Sequence, residues 1–170
     1  VFAHEALLLG RTTYEGFAEA WPPREGEFAD KMNSMPKYVA STTLQKAEWN
    51  NSTVLKGDAM AAVAKLKQEL AGDILVNGSR TLVNALKQHD LVDEYRLMVF
   101  PIILGSGMRL FDDTQDATTL KLVDTHPLAN GAVVLTYRPA RGGEGEAATK
   151  DLEEWFPPTG GRESAENDEP

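Results

Sequence analysis

Short apolar runs alternate with helical patterns along the first half of the chain. Residues 6–9 form a continuous apolar run that stops at Gly10, which is typical of a strand buried on both faces. A second run, residues 74–76, breaks into a glycine-containing turn at 77–79. Apolar residues at helical spacing follow each run. Both places therefore predict a strand, a glycine turn and a helix in succession.

The rest of the pattern predicts further strands and helices. A helix ends before Pro36, and another has Asp58 as its N-cap. The Asn130-Gly131 pair joins the last two β runs and is a strong hairpin signal. Alternating elements followed by a hairpin predict an α/β protein with a mixed sheet. The helix before Pro36 spans residues 28–35, and the predicted strands span residues 37–41, 54–55, 95–104, 120–123 and 132–137.

Composition limits the class of protein. A length of 170 residues, with 42% hydrophobic and 25% charged side chains, predicts one globular domain. The absence of cysteine excludes disulfides, thiolate nucleophiles and cysteine-rich zinc sites. No apolar run approaches the roughly 20 residues that cross a bilayer. Together with the lack of a signal peptide, these features predict a cytoplasmic protein that binds no membrane.

The negative charge is concentrated at the C-terminal end. Residues 140–170 contain nine of the 26 acidic side chains and three of the 17 basic ones, and so carry −6 of the net charge of −9. We predict a folded domain over residues 1–139 and an acidic, disordered tail over 140–170. An acidic chain has no electrostatic reason to bind nucleic acid.

Several kinds of catalytic or binding site are not indicated. The histidines His4, His89 and His126 lack ligand-like spacing, so no metal site is predicted, and His89 is interpreted as a helix C-terminal residue. The nucleophile elbow of hydrolases, the phosphate loop of NTPases and the Gly-x-Gly-x-x-Gly dinucleotide motif are all absent.

Two glycine junctions remain, each with an arginine beside it. Gly10 precedes Arg11, and Gly78 is followed two residues later by Arg80. Helix N-termini attract phosphate, and two of them could share a pyrophosphate. Thr12 or Thr13 could cap the first helix, in which case the first junction is only an ordinary helix start. The hydroxyls of residues 41–43 either bind a nucleotide or form a hydroxyl-capped turn.

Five segments, in this order, resemble one known family. The chain is similar to the dihydrofolate reductase-like superfamily, specifically to the reductase domain of the bacterial riboflavin-biosynthesis deaminase-reductase and its small stand-alone relatives. The resemblance covers most of residues 6–138. The matching segments are LLLGRTTYEGF, MPKYVAST, DILVNGSRTLVNAL, LVDEYRL and PIILGSGMRLF.

The resemblance implies a fold, a cofactor and a reaction. The fold is a three-layer α/β/α dihydrofolate reductase-like domain with a mixed, mostly parallel sheet and a C-terminal antiparallel hairpin. The implied activity is an NADPH-dependent reductase that transfers a hydride to a small heterocyclic substrate. One candidate substrate is a pyrimidine like 5-amino-6-(5-phosphoribosylamino)uracil. Relatives commonly dimerise, so a homodimer is also expected.

Site residues are carried over by their positions in the matching motifs. The first helix start would contact the cofactor phosphates, the strand end at 41–42 would lie near the adenosine 2′-phosphate, and the turn from 77 would wrap the pyrophosphate. A second glycine turn, at 105–107, would lie near the cofactor or the substrate. The residues so implied are Gly10, Arg11, Thr13, Ser41, Thr42, Asn77, Gly78, Ser79, Arg80, Thr81, Leu82, Gly105, Ser106 and Gly107.

The chain departs from the family at three points. Many relatives begin the pyrophosphate turn with Gly-Gly or His-Gly, where this chain has Asn77-Gly78. Relatives also begin with a strand and a Ser-Leu-Asp-Gly-like loop ahead of the segment at Ala6, so the usual first strand is expected to be missing. No match is found to the carboxylate of dihydrofolate reductases, and no catalytic residue is assigned. The alternative function is therefore a nucleotide-binding module without catalysis.

Overall fold

The computed structural model describes residues 1–112 and 118–141. The chain consists of two units, Val1–Val92 with Gly105–Asp113, and Asp93–Leu104 with Thr114–Pro170. Most of the predicted acidic tail lies outside the described residues, so that prediction and the domain boundary at 139 stay predictions. The described elements are β1 His4–Gly10, α1 Arg11–Ala20, α2 Glu27–Ser34, β2 Lys37–Ala40, β3 Ser52–Leu55, α3 Ala59–Glu69, β4 Asp73–Val76, α4 Arg80–Gln88, β5 Tyr95–Val99, β6 Leu120–Pro127 and β7 Val133–Pro139.

The first unit is built on a four-stranded parallel sheet. Its strand order is β3-β2-β1-β4, so β1 and β2 are the central strands. In the register of β1 with β2, Gly10 lies opposite Ala40, and on the other side of β1, Leu8 lies opposite Val76 of β4. Within residues 1–112 and 118–141, no strand pairs with the outer edge of β4.

Helices cover both faces of this sheet. Leu7 and Leu9 of β1 pack in one core cluster with residues of α1 and α2, among them Tyr14 and Met32. Leu8 points to the opposite face and packs in a second cluster with residues of α3 and α4. The predicted three-layer α/β/α arrangement is therefore confirmed, and β1 is buried on both faces, as its continuous apolar run indicated.

The helix starts differ from the prediction at one place. Asp58 caps α3 by accepting bonds from the backbone N–H groups of Met60 and Ala61, as predicted. The prediction that Thr12 or Thr13 caps α1 is wrong, because α1 begins directly after β1 and its N-cap residue is Gly10. Glycine has no side chain with which to cap, and both threonines lie inside the first turn.

The second unit contains a three-stranded antiparallel sheet with the order β5-β7-β6. The predicted hairpin is confirmed, and Gly131 adopts a positive φ of 84° in its turn. The predicted strand over 95–104 is too long, because β5 ends at Val99. Pro101 lacks the N–H that a ladder needs, and residues 100–104 are exposed. The expected mixed sheet is thus found as one parallel and one antiparallel sheet.

None of the helices in the described residues combines the length and the apolar character that a membrane crossing requires.

Candidate functional site

Most of the candidate residues lie at one end of the parallel sheet. The C-terminal ends of β2, β1 and β4 lie side by side because these strands are parallel neighbours. The chain moves from β1 to β2 and β3 on one side, and β4 then joins the other side of β1. Ligands of open α/β sheets bind beside such a reversal of strand order, outside the carboxyl ends of the strands. The position is therefore suited to a ligand.

The two glycine junctions meet at this reversal. A Cβ added to Gly10 would lie 2.6 Å from Ser79 Oγ and 3.4 Å from the Ser79 backbone nitrogen. Residue 10 must be glycine for the two chain segments to come this close. The sequence placed both junctions in one shared site, and the structure brings them together.

Thr13 and Gly78 complete the contact between the junctions. A Cβ on Gly78 would lie 3.5 Å from Thr13 Oγ1, and Gly78 has a positive φ of 98°. The peptide bond between Gly78 and Ser79 is cis. We call the region formed by Gly10, Thr13, Gly78 and Ser79 the glycine cradle.

Two helices begin at the glycine cradle. No side chain caps the N-terminus of α1, so the backbone N–H groups of its first turn have no side-chain acceptor there. In α4 the Ser79 hydroxyl accepts from the Leu82 backbone nitrogen at 3.4 Å, which is a long bond. The positive ends of both helix dipoles therefore lie beside the cradle, where an anion is favoured.

Both arginines that were predicted as cofactor-binding residues lie beside the cradle, and each forms an ion pair. Arg11 Nη1 lies 3.1 Å from Glu15 Oε2 within α1. Arg80 Nη1 lies 3.0 Å from Asp112 Oδ1. All four side chains are between 41% and 48% exposed, so neither ion pair is closed off from an incoming ligand.

The remaining residues of the 77–82 turn contribute in different ways. Asn77 and Thr81 are exposed beside the cradle. Leu82 is 5% exposed and packs in the second core cluster, so only its backbone lies at the cradle.

Ser41 and Thr42 lie one strand away from the cradle. The Ser41 hydroxyl accepts bonds from the backbone N–H groups of Thr43 and Leu44, at 3.2 and 3.0 Å. Of the two alternatives for these hydroxyls, this geometry is the hydroxyl-capped turn. Thr42 is exposed after β2 and remains available to a ligand.

The second glycine turn is not packed against the cradle. Gly105, Ser106 and Gly107 are all exposed, and no described atom lies within 4 Å of a Cβ built on either glycine. The chain after this turn is anchored to α4 by Asn84, which binds the Leu110 carbonyl and the Asp112 N–H group. The role of residues 105–107 stays a prediction.

Sequence reasoning missed three residues of this region: Glu15, Asn84 and Asp112. Glu15 was detectable, because it follows Arg11 by four positions in a predicted helix. Asn84 and Asp112 gave no local signal of a role here, because the contacts of Asp112 with Asn84 and with Arg80 join positions 28 or more residues apart along the chain.

The cradle can bind an anion but shows no metal chemistry. Its backbone amides and two hydroxyls, together with the two guanidiniums that flank it, suit phosphate. Across residues 1–112 and 118–141, no group of three or more His, Asp or Glu side chains is arranged to hold a metal ion.

This architecture is that of the dihydrofolate reductase-like α/β proteins. The structure matches a putative riboflavin biosynthesis protein from Shewanella sp. PV-4 with a TM-score of 0.65 and 22% identity, over 81% of this chain and 75% of the other. It matches the dihydrofolate reductase of Enterococcus faecalis, complexed with NADP(H), with a TM-score of 0.51 and 16% identity, over 80% and 74%.

The chain belongs to the RibD C-terminal domain family, whose model matches residues 2–134. Two uncharacterized proteins of Bacillus subtilis (strain 168) are similar in sequence. YyaP is 30% identical over 78% of this chain and 73% of its own length, and YwjB is 32% identical over 78% and 72%.

A larger protein shares the fold. The Thermotoga maritima diaminohydroxyphosphoribosylaminopyrimidine deaminase/5-amino-6-(5-phosphoribosylamino)uracil reductase matches with a TM-score of 0.56 and 16% identity. The match covers 81% of this chain and 46% of that protein. The family suggested by the sequence motifs and the dihydrofolate reductase-like fold are both confirmed.

Proposed function

We propose that this protein is an NADPH-dependent reductase that transfers a hydride to a small heterocyclic substrate. The observation that carries the proposal is the close approach of Gly10 to Ser79, which brings two helix N-termini to one point on the sheet. Membership of a reductase-domain family supports the same reaction class. The Enterococcus faecalis protein of the same fold is described as complexed with NADP(H), which supports the cofactor.

The residues of the cradle fit the phosphate groups of a dinucleotide. The uncapped amides of α1 and the Ser79 region of α4 would hold the pyrophosphate, because both present N–H groups to one place. Arg11 and Arg80 would contribute positive charge. Gly10 lets the backbone approach closely, because any side chain there would occupy the space of Ser79.

The bound cofactor would supply the hydride, and the protein would supply position. Holding the two reactants in contact removes much of the entropic barrier to their reaction. The side chains that form the cradle, Thr13 and Ser79, are hydroxyls suited to binding, and the carboxylates beside it, Glu15 and Asp112, are paired with arginines. We therefore assign no side chain as proton donor and propose bound water for that step.

A pyrimidine is the substrate class we propose. The Thermotoga maritima protein of the same fold is named as a 5-amino-6-(5-phosphoribosylamino)uracil reductase. That protein is much longer than this chain, and the proposal for this chain is restricted to a ribosylaminopyrimidine-like heterocycle.

Titration with NADPH tests the cofactor assignment. We expect saturable quenching of tryptophan fluorescence, with NADH as the matched ligand that lacks the 2′-phosphate. Absence of binding at millimolar NADPH by the folded protein would remove the proposal. Oxidation of NADPH followed by absorbance, with candidate pyrimidines present, then tests the reaction.

A nucleotide-binding module without catalysis is the second candidate. It is favoured because both carboxylates beside the cradle, Glu15 and Asp112, are paired with arginines. The two candidates differ in one measurement, since the module would bind NADPH but would not oxidise it with any pyrimidine offered.

We further propose that the protein is a cytoplasmic homodimer. Support comes from an exposed apolar segment of the second unit, Met98–Leu104, in which Ile103 is 99% exposed. Exposed apolar surface of this kind marks interaction sites. Light scattering coupled to size exclusion should give twice the mass of one chain, and Ile103→Glu should shift it to a single chain. A wild-type protein with the mass of one chain would exclude the dimer.

A further inference from the structure

Arg80 is held by a carboxylate that is distant along the chain. It is the first residue of α4 and directly follows the cap residue Ser79. Its Nη1 atom lies 3.0 Å from Asp112 Oδ1 and donates to the Arg109 carbonyl at 3.4 Å. The Asp112 carboxylate therefore neutralises the charge of the arginine that begins α4 beside the cradle.

A buried amide sets the position of Asp112. Asn84 is 3% exposed, and its Oδ1 atom accepts from the Asp112 backbone nitrogen at 3.0 Å. Its Nδ2 atom donates to the Leu110 carbonyl and to the Arg80 carbonyl, each at 2.9 Å. Asn84 thus ties the chain around residues 110–112 to the helix that carries Arg80. These hydrogen bonds hold Asp112 in position for the ion pair.

The other arginine at the cradle differs in this respect. Arg11 pairs with Glu15 one turn along its own helix, a spacing at which opposite charges meet on any exposed helix. No buried residue is needed to bring Glu15 there. The Asp112 contact, in contrast, exists only because the tertiary fold brings residue 112 beside α4.

We infer that Asp112 is an internal anion that holds Arg80 in the ligand-free protein and yields it to a ligand phosphate. The inference deepens the proposed function and rests on it for the identity of the ligand. A phosphate that takes the Nη1 edge of the guanidinium must displace the carboxylate, so the carboxylate lowers phosphate affinity by the free energy of the ion pair that is lost. Asp112 is thereby a regulator of affinity and Asn84 is its positioning residue.

The test removes the charge of Asp112 while keeping its shape. We expect Asp112→Asn to bind both NADPH and inorganic pyrophosphate roughly two- to fivefold more tightly than wild type, the scale of a half-exposed ion pair. Isothermal titration calorimetry at low salt measures both ligands. The matched control is Glu69→Gln, which breaks the exposed Lys65–Glu69 pair on α3 and should leave both affinities unchanged. Thermal unfolding checks that each variant is folded.

The outcomes separate this inference from the proposed function. Wild-type binding of NADPH with no gain in Asp112→Asn, or with an equal gain in Glu69→Gln, would overturn the inference and leave the proposed function intact. Tighter pyrophosphate binding by Asp112→Asn, when neither protein binds NADPH, would support the internal anion and remove the proposed cofactor. Absence of binding of either ligand to either protein would overturn both.

Discussion

The two ends of strand β2 lie in contrasting environments. At its C-terminal end, beside the glycine cradle, the Arg80–Asp112 ion pair is partly exposed and the N-terminus of α1 has no side-chain cap. At its N-terminal end, Lys37 is fully buried, with 0% of its surface exposed. One sheet thus carries an open polar region at one end and a closed one at the other.

The buried lysine is satisfied entirely from within the protein. Its Nζ atom donates to the carbonyls of Asn33, Met35 and Asn50 at 2.9, 2.7 and 2.9 Å. The same atom lies 4.3 Å from the centre of the Trp49 ring. We call these five residues the Lys37 cluster. Every proton of the ammonium group has an acceptor, which is the condition for burying a charge.

The difference between the two regions indicates that one contributes to stability and the other to binding. Polar groups that find their partners inside the fold contribute to holding α2, β2 and the segment before β3 together. Polar groups that have no partner inside the protein, or whose ion-pair partners are exposed, can bind a ligand instead. We therefore expect changes in the Lys37 cluster to alter stability, and changes in the glycine cradle to alter binding.

The largest expected effect follows from removing the buried cation. Lys37→Met keeps the length of the side chain but leaves buried carbonyls without their donor, which should lower the free energy of unfolding by about 2–4 kcal/mol. Urea denaturation at pH 7 measures the loss. Lys56→Met, at an exposed position, is the control and should change stability little. An unchanged stability in Lys37→Met would mean that the cluster does not hold the fold together.

The pH dependence of stability is the second test of the Lys37 cluster. Burial lowers the pKa of Lys37 to about 8 from its ordinary value of 10.5. Between these values the unfolded chain holds a proton that the folded protein has released, so folded stability rises with pH across this window. The full gain is on the order of 3 kcal/mol. The difference between wild type and Lys37→Met should grow over that range, and parallel curves would contradict the assignment.

A smaller effect on stability, but a large one on binding, is expected at Gly10. Gly10→Ala places a Cβ 2.6 Å from Ser79 Oγ, which must leave its capping position or push the two segments apart. We expect a loss of about 1–2 kcal/mol in stability and at least about tenfold in NADPH affinity. Gly16→Ala in the same helix meets nothing within 4 Å and should gain about 0.5–1 kcal/mol. Equal binding by the two variants would show that the cradle is not the ligand site.

The smallest effect is expected at the cap of α4. Ser79→Ala removes a capping bond that is already 3.4 Å long, so stability should fall by only about 0.5–1 kcal/mol. NADPH affinity should fall by about 1 kcal/mol, because a hydroxyl beside the pyrophosphate is lost. Ser34→Ala is the control, since that serine is exposed and its hydroxyl donates to the Lys31 carbonyl within its own helix. Unchanged affinity in Ser79→Ala would remove Ser79 from the proposed site.

The order of elements was predictable from the sequence because each carries a local signal. The apolar run before Gly10, the Asp58 cap and the Asn130-Gly131 turn all act within a few residues. The extent of β5 was not predictable in the same way, since the apolar residues after Val99 continue the pattern but lie exposed outside the sheet. An apolar run shows preference for burial and cannot show whether a partner is present.

The sequence by itself determined that two glycine junctions exist and that each carries an arginine. Only the tertiary structure decided that they meet, because the order β3-β2-β1-β4 makes β1 and β4 neighbours although more than 60 residues separate them. The same holds for Lys37, a lysine that any local pattern would place in water. Two of its carbonyl partners, at 33 and 35, lie at the end of α2 and the third, at 50, lies before β3, and they surround the ammonium group only when these segments pack together. Local chemistry sets the preferences of each segment, and long-range packing decides which of them are satisfied inside the protein and which are left for a ligand.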